Sequence, residues 1–168
     1  MRLNGIDRYV RVRSYVFDNQ GLSDLTDAEL LQQIIKEPEF DSLFVGVEGS
    51  EDVGSYQGRG IHGPFDLSKL TPELYERVSV SEFRKHLQSH FDDPFYIQED
   101  GPVSSERIAA VNEVLNSLVE RSSRIFRLII DRGNVNHLSR ERVHSDFDEY
   151  IFIDDNNSAI HFFIVAAD

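Results

Sequence analysis

The chain has 168 residues, of which 30 are acidic and 17 basic, and its net charge is −13. Its length suits one domain with a single core. A hydrophobic content of 40% excludes a disordered chain. The negative charge disfavours direct binding to nucleic acid or to an anionic membrane, and it favours a basic partner.

Cysteine is absent, which excludes a disulfide framework and a thiol nucleophile. The amino terminus has no apolar segment typical of a secretion signal. The longest apolar run, Phe162–Ala167, is far shorter than the ~20 residues of a membrane helix. We therefore expect a cytoplasmic protein whose residues 1–168 form one domain, with no structural metal and no cofactor.

The first third of the chain predicts strands around one helix. Alternating apolar residues in Arg8–Phe17 predict a half-buried strand. Thr26–Glu29 is a capping box, and the helix that it starts must end before Pro38. The short apolar run Ser42–Glu48 predicts a buried strand. Gly49–Pro64 then predicts a glycine-rich loop.

The middle third predicts helices. Thr71 before a proline indicates a short helix that extends to Val78. The capping box Ser79–Glu82 starts a second helix, which ends at the turn Asp92–Pro94. Ser104 or the following serine caps the longest helix, which extends to about Ser122.

The last third predicts the centre of a sheet. Arg124–Ile130, Glu149–Ile153 and Ile160–Val165 are rich in β-branched and aromatic residues, and the last two form a hairpin. Adjacent apolar residues in these strands indicate burial on both faces. The fold class predicted is α+β, with a mainly antiparallel sheet of about five strands and three to four helices packed on it. Arg8–Phe17, whose outer face is charged, is the predicted edge strand.

Two groups of side chains suggest metal chemistry. His86 and His90 are four residues apart on a predicted helix, with Asp92 nearby, and His144 lies close to Asp146. Either group is compatible with a metal-dependent hydrolase. An interfacial histidine with a packed ring explains the first group better than a metal site does, because the glutamate of the HExxH motif is missing. No serine nucleophile motif is present, so we expect a protein without catalytic activity.

The carboxyl-terminal segment is strongly acidic. From Val143 onward it contains six carboxylates and no lysine or arginine. A cationic partner would relieve their mutual repulsion, although a solvated surface is the simpler alternative. We expect contacts with a basic partner from the aspartates of this segment: Asp146, Asp148, Asp154 and Asp155.

The loop Gly54–Gly63 contains four glycines but does not match a nucleotide-binding motif, because no GK[ST] sequence follows. We expect it to line a pocket and to contact a partner through Tyr56, Arg59 and His62.

Four segments resemble the immunity proteins of bacterial contact-dependent growth inhibition systems. They are SLFVGVEG (42–49), GIHGPFD (60–66), HSDFDEYIFI (144–153) and HFFIVAAD (161–168). The likeness is greatest to those paired with zinc-dependent nuclease toxins. It implies a cytoplasmic protein that binds the nuclease domain at the carboxyl end of a surface-delivered effector, and family members accept a toxin β-hairpin into a pocket. A metal-dependent hydrolase and a generic acidic adaptor are the alternative hypotheses.

Overall fold

The computed structural model describes residues 2–4, 8–17, 22–41, 43–44, 58–93, 102–130, 135–139 and 146–167. The strands are β1 (Arg2–Asn4), β2 (Arg8–Val16), β3 (Ile61–His62), β4 (Phe65–Asp66), β5 (Tyr75–Arg77), β6 (Arg124–Leu128), β7 (Asp146–Asp154) and β8 (Ala159–Ala167). The helices are α1 (Asp27–Lys36), α2 (Val80–Phe91) and α3 (Ser105–Arg121). Short 3-10 turns lie at Leu22–Asp24, Leu67–Lys69, Pro72–Leu74 and Val135–His137. None of the described helices is long and apolar enough to cross a membrane.

Six strands form one antiparallel sheet in the order β1-β2-β8-β7-β6-β5, and β3 pairs with β4 in a separate hairpin. The hairpin of β7 and β8 is central, with Asp146 opposite Ala167 and Asp154 opposite Ala159. Every residue of β8 is buried. This confirms that adjacent apolar residues in these strands mark burial on both faces.

Each face of the sheet packs on its own apolar core. On one face, Leu30 and Ile34 of α1 share a core with Ile151 and Phe162. On the other face, buried residues of α2 and α3 pack against the opposite sides of the same two strands: Phe83, Leu87, Leu115 and Leu118 with Phe152 and Phe163. The predicted α+β fold, an antiparallel sheet with helices packed on it, is confirmed.

The predicted capping boxes set the starts of two helices. Thr26 and Glu29 bond each other's backbone amides at the start of α1, and Ser79 and Glu82 do the same at the start of α2. These bonds satisfy amides that a helix leaves unpaired in its first turn. Ser104 caps α3 through the amide of Arg107. The predicted starts of all three helices are therefore confirmed.

Two predicted elements differ from the structure. The short helix expected over Thr71–Val78 is wrong, because only Pro72–Leu74 form a 3-10 turn and the chain continues as β5. Pairing with β6 satisfies this backbone instead, and Val78 N donates to Ile125 O at 2.9 Å. The strand expected over Ser42–Glu48 lies mainly outside the described residues. Within that range the structure describes only Leu43 and Phe44, and both are in a turn.

The loop expected over Gly49–Pro64 ends in the β3–β4 hairpin, whose turn contains Gly63. Gly63 has a φ of +51°, and a Cβ built there would lie 2.6 Å from the ring of Phe147. Gly58 has a φ of +78° but has no atom within 4 Å of its Cβ position. The two glycines therefore share a left-handed backbone and differ in the space around them.

This difference predicts that alanine destabilises the protein more at Gly63 than at Gly58. Gly58→Ala should destabilise the protein by about 1–2 kcal/mol, the cost of a left-handed backbone for an L-residue. Gly63→Ala should cost about 1–3 kcal/mol more, because the ring of Phe147 must also move. Urea unfolding of the two variants measures the difference. Equal midpoints for both variants would contradict the packing of the hairpin against β7.

Candidate functional site

A polar cleft of about 800 Å³ lies where the end of α2 meets β6 and β7. It brings together residues that the sequence presented as separate groups, His90 and Asp92 from the helix and Asp146 and Asp148 from the acidic segment. The side chains that line it are the carboxylates of Asp92, Asp93, Asp146 and Asp148, the cations Lys85 and Arg127, and the polar residues Gln88, Ser89 and His90.

Asp148 is buried at the edge of this cleft and is held from two sides. Its Oδ2 lies 3.2 Å from His90 Nε2, and its Oδ1 accepts a hydrogen bond from Arg127 Nη2 at 3.1 Å. Arg127 is a residue that sequence analysis missed. The available signal was its position within an apolar strand, since a half-buried guanidinium requires a partner.

Three nitrogen or hydroxyl atoms in and beside this network have no hydrogen-bond partner among the described residues. They are the hydroxyl of Tyr150, a completely buried side chain, His86 Nδ1 and Arg127 Nε. Burial raises the pKa of Tyr150, with an opposing effect of Arg127 and a reinforcing one of Asp148, so the hydroxyl keeps its proton. Burial and Arg127 lower the pKa of His86, which favours the neutral imidazole at pH 7.

The proposed metal ligands do not converge. His90 faces Asp148, and Asp92 Oδ2 accepts a hydrogen bond from Gln88 Nε2 at 3.0 Å. In the described ranges, no three histidine, aspartate or glutamate side chains are arranged to hold a metal ion. His144 lies outside the described residues, so its pairing with Asp146 stays a prediction.

A second surface is the outer edge of β2. The prediction that this strand forms an edge is wrong for its start, because β1 pairs with Arg8 and Tyr9. Over Val12–Val16, no described residue pairs with the side of the strand that faces away from β8. The side chain of Val16 is 76% exposed. Among the described residues, a five-residue length of this sheet edge is therefore unpaired.

A cleft of about 160 Å³ lies beside this edge. Most of its described lining is apolar or aromatic, and two glutamates complete it: Tyr15, Val16, Phe17, Ile34, Phe40, Ile160 and Phe162, with Glu37 and Glu39. Burial raises the pKa of the Tyr15 hydroxyl, which Arg13 opposes and Glu39 reinforces. The cleft suits an apolar side chain that is followed or preceded by a basic one.

The loop residues expected to contact a partner have different positions. Tyr56 lies outside the described residues, and Arg59 is exposed. His62 is completely buried, so the expected contact with a partner does not fit its place. Its Nε2 lies 2.5 Å from Glu149 Oε2 and its Nδ1 lies 3.0 Å from Phe40 O. In the described part of this loop, Gly60 N and Ile61 N donate hydrogen bonds to Asp41 Oδ1 at 3.1 and 3.3 Å, so these two amides are not open to a phosphate.

His62 and Glu149 form the centre of a buried polar network. The ring of His62 stacks on Phe40 with centroids 3.7 Å apart, and Tyr75 donates a hydrogen bond to Glu149 Oε1 at 3.0 Å. Both ring nitrogens of His62 therefore face oxygen atoms, a carbonyl and a carboxylate. The pairing with His62 and Tyr75 makes the burial of the Glu149 carboxylate tolerable.

Asp154 and Asp155 stabilise the hairpin turn and its surroundings. Asp154 is buried and accepts hydrogen bonds from the backbone and side chain of Asn157. Asp155 pairs with Arg124 Nη2 at 3.1 Å and with the hydroxyl of Ser123. The acidic segment is therefore not one surface, and the contact role expected for Asp154 does not fit its burial.

Comparison with protein families and with curated protein sequences gives no match. Two crystal structures of citrus MAF1, in space groups C 2 2 21 and P 31 2 1, are similar to this chain with TM-scores of 0.48 and 0.47. Their sequence identities are 14% and 11%; they cover 99% of this chain, and the matches span 91% and 90% of the MAF1 chains.

The buried network yields a stability prediction. His62→Phe keeps a ring against Phe40 but leaves Glu149 without its main partner, so it should destabilise the protein by about 3–5 kcal/mol. Adding Glu149→Gln removes the buried charge and should restore part of this loss. Urea unfolding of both variants and the wild type tests the network. A His62→Phe variant as stable as the wild type would show that the pair does not stabilise the fold.

Proposed function

We propose that this protein is an immunity protein that binds the nuclease domain of a contact-dependent growth inhibition toxin and inhibits it stoichiometrically, in the cytoplasm and without catalysis. The observation that carries the proposal is the open edge of β2 over Val12–Val16, beside a mainly apolar cleft with two glutamates. The resemblance of four sequence segments to such immunity proteins supports it.

The edge and the cleft together offer what an inhibitor needs. Exposed ion pairs are worth only about 0–1 kcal/mol each, so tight binding requires main-chain pairing or a buried anchor. A partner strand added to Val12–Val16 would supply main-chain hydrogen bonds. A side chain from that strand, placed between Val16 and Phe40, would supply the anchor.

Charge supports the choice of a nuclease as the partner. Domains that bind nucleic acid are generally basic, and this chain carries a net charge of −13. Opposite potentials speed the encounter of two proteins. Glu37 and Glu39 place part of this charge at the cleft itself. An acidic adaptor with some other basic partner would share the charge but would not neutralise the toxin.

A charge placed in the docking surface tests the proposal. Val16→Lys should reduce affinity for the toxin domain at least tenfold, because it adds a cation where a basic partner is expected and removes an apolar contact. Val114→Lys is the matched control, since Val114 is 45% exposed but lies on α3 and should leave affinity unchanged. The proposal predicts that a large secreted protein with a nuclease domain at its carboxyl end is encoded next to this chain. That domain is the test ligand, and calorimetry measures its affinity.

Failure to bind this domain, or to protect cells that express it, would contradict the function. Binding that Val16→Lys leaves intact would contradict docking at the β2 edge and leave the function in place. Metal-dependent hydrolysis by the purified protein, lost in His86→Ala/His90→Ala, would instead favour the hydrolase hypothesis.

A further inference from the structure

We propose that the cleft of about 160 Å³ beside β2 binds the quaternary ammonium group of a small organic cation. The methyl groups of this cation would contact the aromatic side chains of the cleft, and its charge would be held by the two glutamates at the rim. The proposed function uses the same cleft, but this inference rests on the side chains of the cleft alone. It stands whether or not a partner strand pairs with β2.

Four aromatic side chains line this cleft: Tyr15, Phe17, Phe40 and Phe162. The ring of Phe162 contacts two of the others, with its centroid 6.0 Å from that of Tyr15 at an interplanar angle of 73° and 5.7 Å from that of Phe40 at 53°. The ring of Phe40 also stacks on His62, with centroids 3.7 Å apart, which fixes this wall of the cleft. Rings at such angles present their surfaces in different directions, as in the aromatic cages that recognise quaternary ammonium ions.

The charged groups of the cleft favour a cation. Its described lining contains two carboxylates, Glu37 and Glu39, and no lysine or arginine. Among the described residues, neither carboxylate forms an ion pair with a basic side chain. Glu39 lies near an aromatic wall of the cleft, because its charge raises the pKa of the Tyr15 hydroxyl. Arg13 has the opposite effect on this pKa, but it does not line the cleft.

The deep part of the cleft decides which kind of cation fits. Its side chains are buried and contain no hydrogen-bond acceptor: Ile34, Phe40, Ile160 and Phe162. A primary ammonium group has three N–H donors, and these would be left unsatisfied against such side chains, which is costly. A quaternary ammonium group has no donor, its methyl groups are apolar, and aromatic rings attract its charge. The lining therefore favours a quaternary ammonium over the side chain of a lysine.

Size and charge together narrow the ligand further. The volume of about 160 Å³ is well below the ~300–1,000 Å³ of pockets that take drug-sized molecules, so a small headgroup fits. A phosphate attached a few atoms from the nitrogen would be repelled by Glu37 and Glu39 at the rim. This disfavours phosphocholine and the headgroup of a phosphatidylcholine lipid. A free cation of the size of choline satisfies both limits.

The test titrates the full-length protein, labelled with ¹⁵N and without any partner, with choline chloride. Saturable shifts are expected at the amides of residues 15–17, 39–40 and 160–162. The alcohol 3,3-dimethylbutan-1-ol, which has the shape of choline without its charge, should bind at least fivefold more weakly. Ethanolamine, which has the charge without the methyl groups, and phosphocholine, which adds a phosphate, should each bind at least threefold more weakly than choline.

Variants separate the charge from the aromatic wall. Glu39→Gln should weaken choline binding about threefold, whereas Glu113→Gln, the same change at an exposed residue of α3, should leave it unchanged. Tyr15→Leu keeps an apolar side chain but removes a ring, so it should weaken choline binding at least threefold and leave binding of the neutral alcohol unchanged. Tyr15→Phe keeps the ring and should bind choline as the wild type does. Because Glu39 is exposed, Glu39→Gln tests the site even where Tyr15→Leu disturbs the fold.

Several results would overturn the inference: no saturable shifts, shifts only outside the cleft, or choline binding that both Glu39→Gln and Tyr15→Leu leave unchanged. Equal binding of choline and the neutral alcohol would indicate a purely apolar site, and equal binding of choline and ethanolamine an unselective acidic surface. Phosphocholine that binds as tightly as choline would indicate a lipid headgroup instead. The proposed function can fail separately, because loss of toxin binding would leave these titrations unchanged, and absence of choline binding would leave docking at the β2 edge in place.

Discussion

The burial of both faces of the β7–β8 hairpin is the constraint on which the rest of the structure depends. These strands are almost entirely buried, so each face needs its own cover of apolar side chains. The cover comes from α1 on one side and from α2 and α3 on the other.

Two-sided burial also decides what happens to polar residues in the hairpin. A buried polar group needs a partner, and each partner comes from a different element. Asp148 is held from α2 and β6, Glu149 from the β3–β4 hairpin and β5, and His161 from Ser14 at 2.7 Å. These polar contacts hold α2, the β3–β4 hairpin and the neighbouring strands at defined positions against the central hairpin, whereas apolar packing alone tolerates small shifts.

Local signals predicted much of this fold. Capping boxes and periodic apolar residues gave the helix starts and the central strands, because those features act within one or two turns of chain. The β5 strand was not predictable in this way, since its pairing partner lies about fifty residues later. The burial of His62 was not predictable for the same reason, because its partners are distant in sequence. A histidine in a glycine-rich segment is typical of a surface loop, and its burial is explained by partners distant in sequence, Phe40 and Glu149, the latter 87 residues away.

The acidic segment shows why charge counted along the chain did not predict a surface. Asp148 and Glu149 are neighbours in sequence, but the two-residue period of a strand sends them to opposite faces, one to the polar cleft and one to the network around His62. Asp154 and Asp155 lie at the far end of the strand and hold the turn. Among the described residues, the carboxylates of this segment are therefore divided between the polar cleft, the network around His62 and the turn of the hairpin. A net charge counted along the sequence describes only the long-range potential, whereas the strand geometry decides which charged side chains stay at the surface and which are taken into the interior.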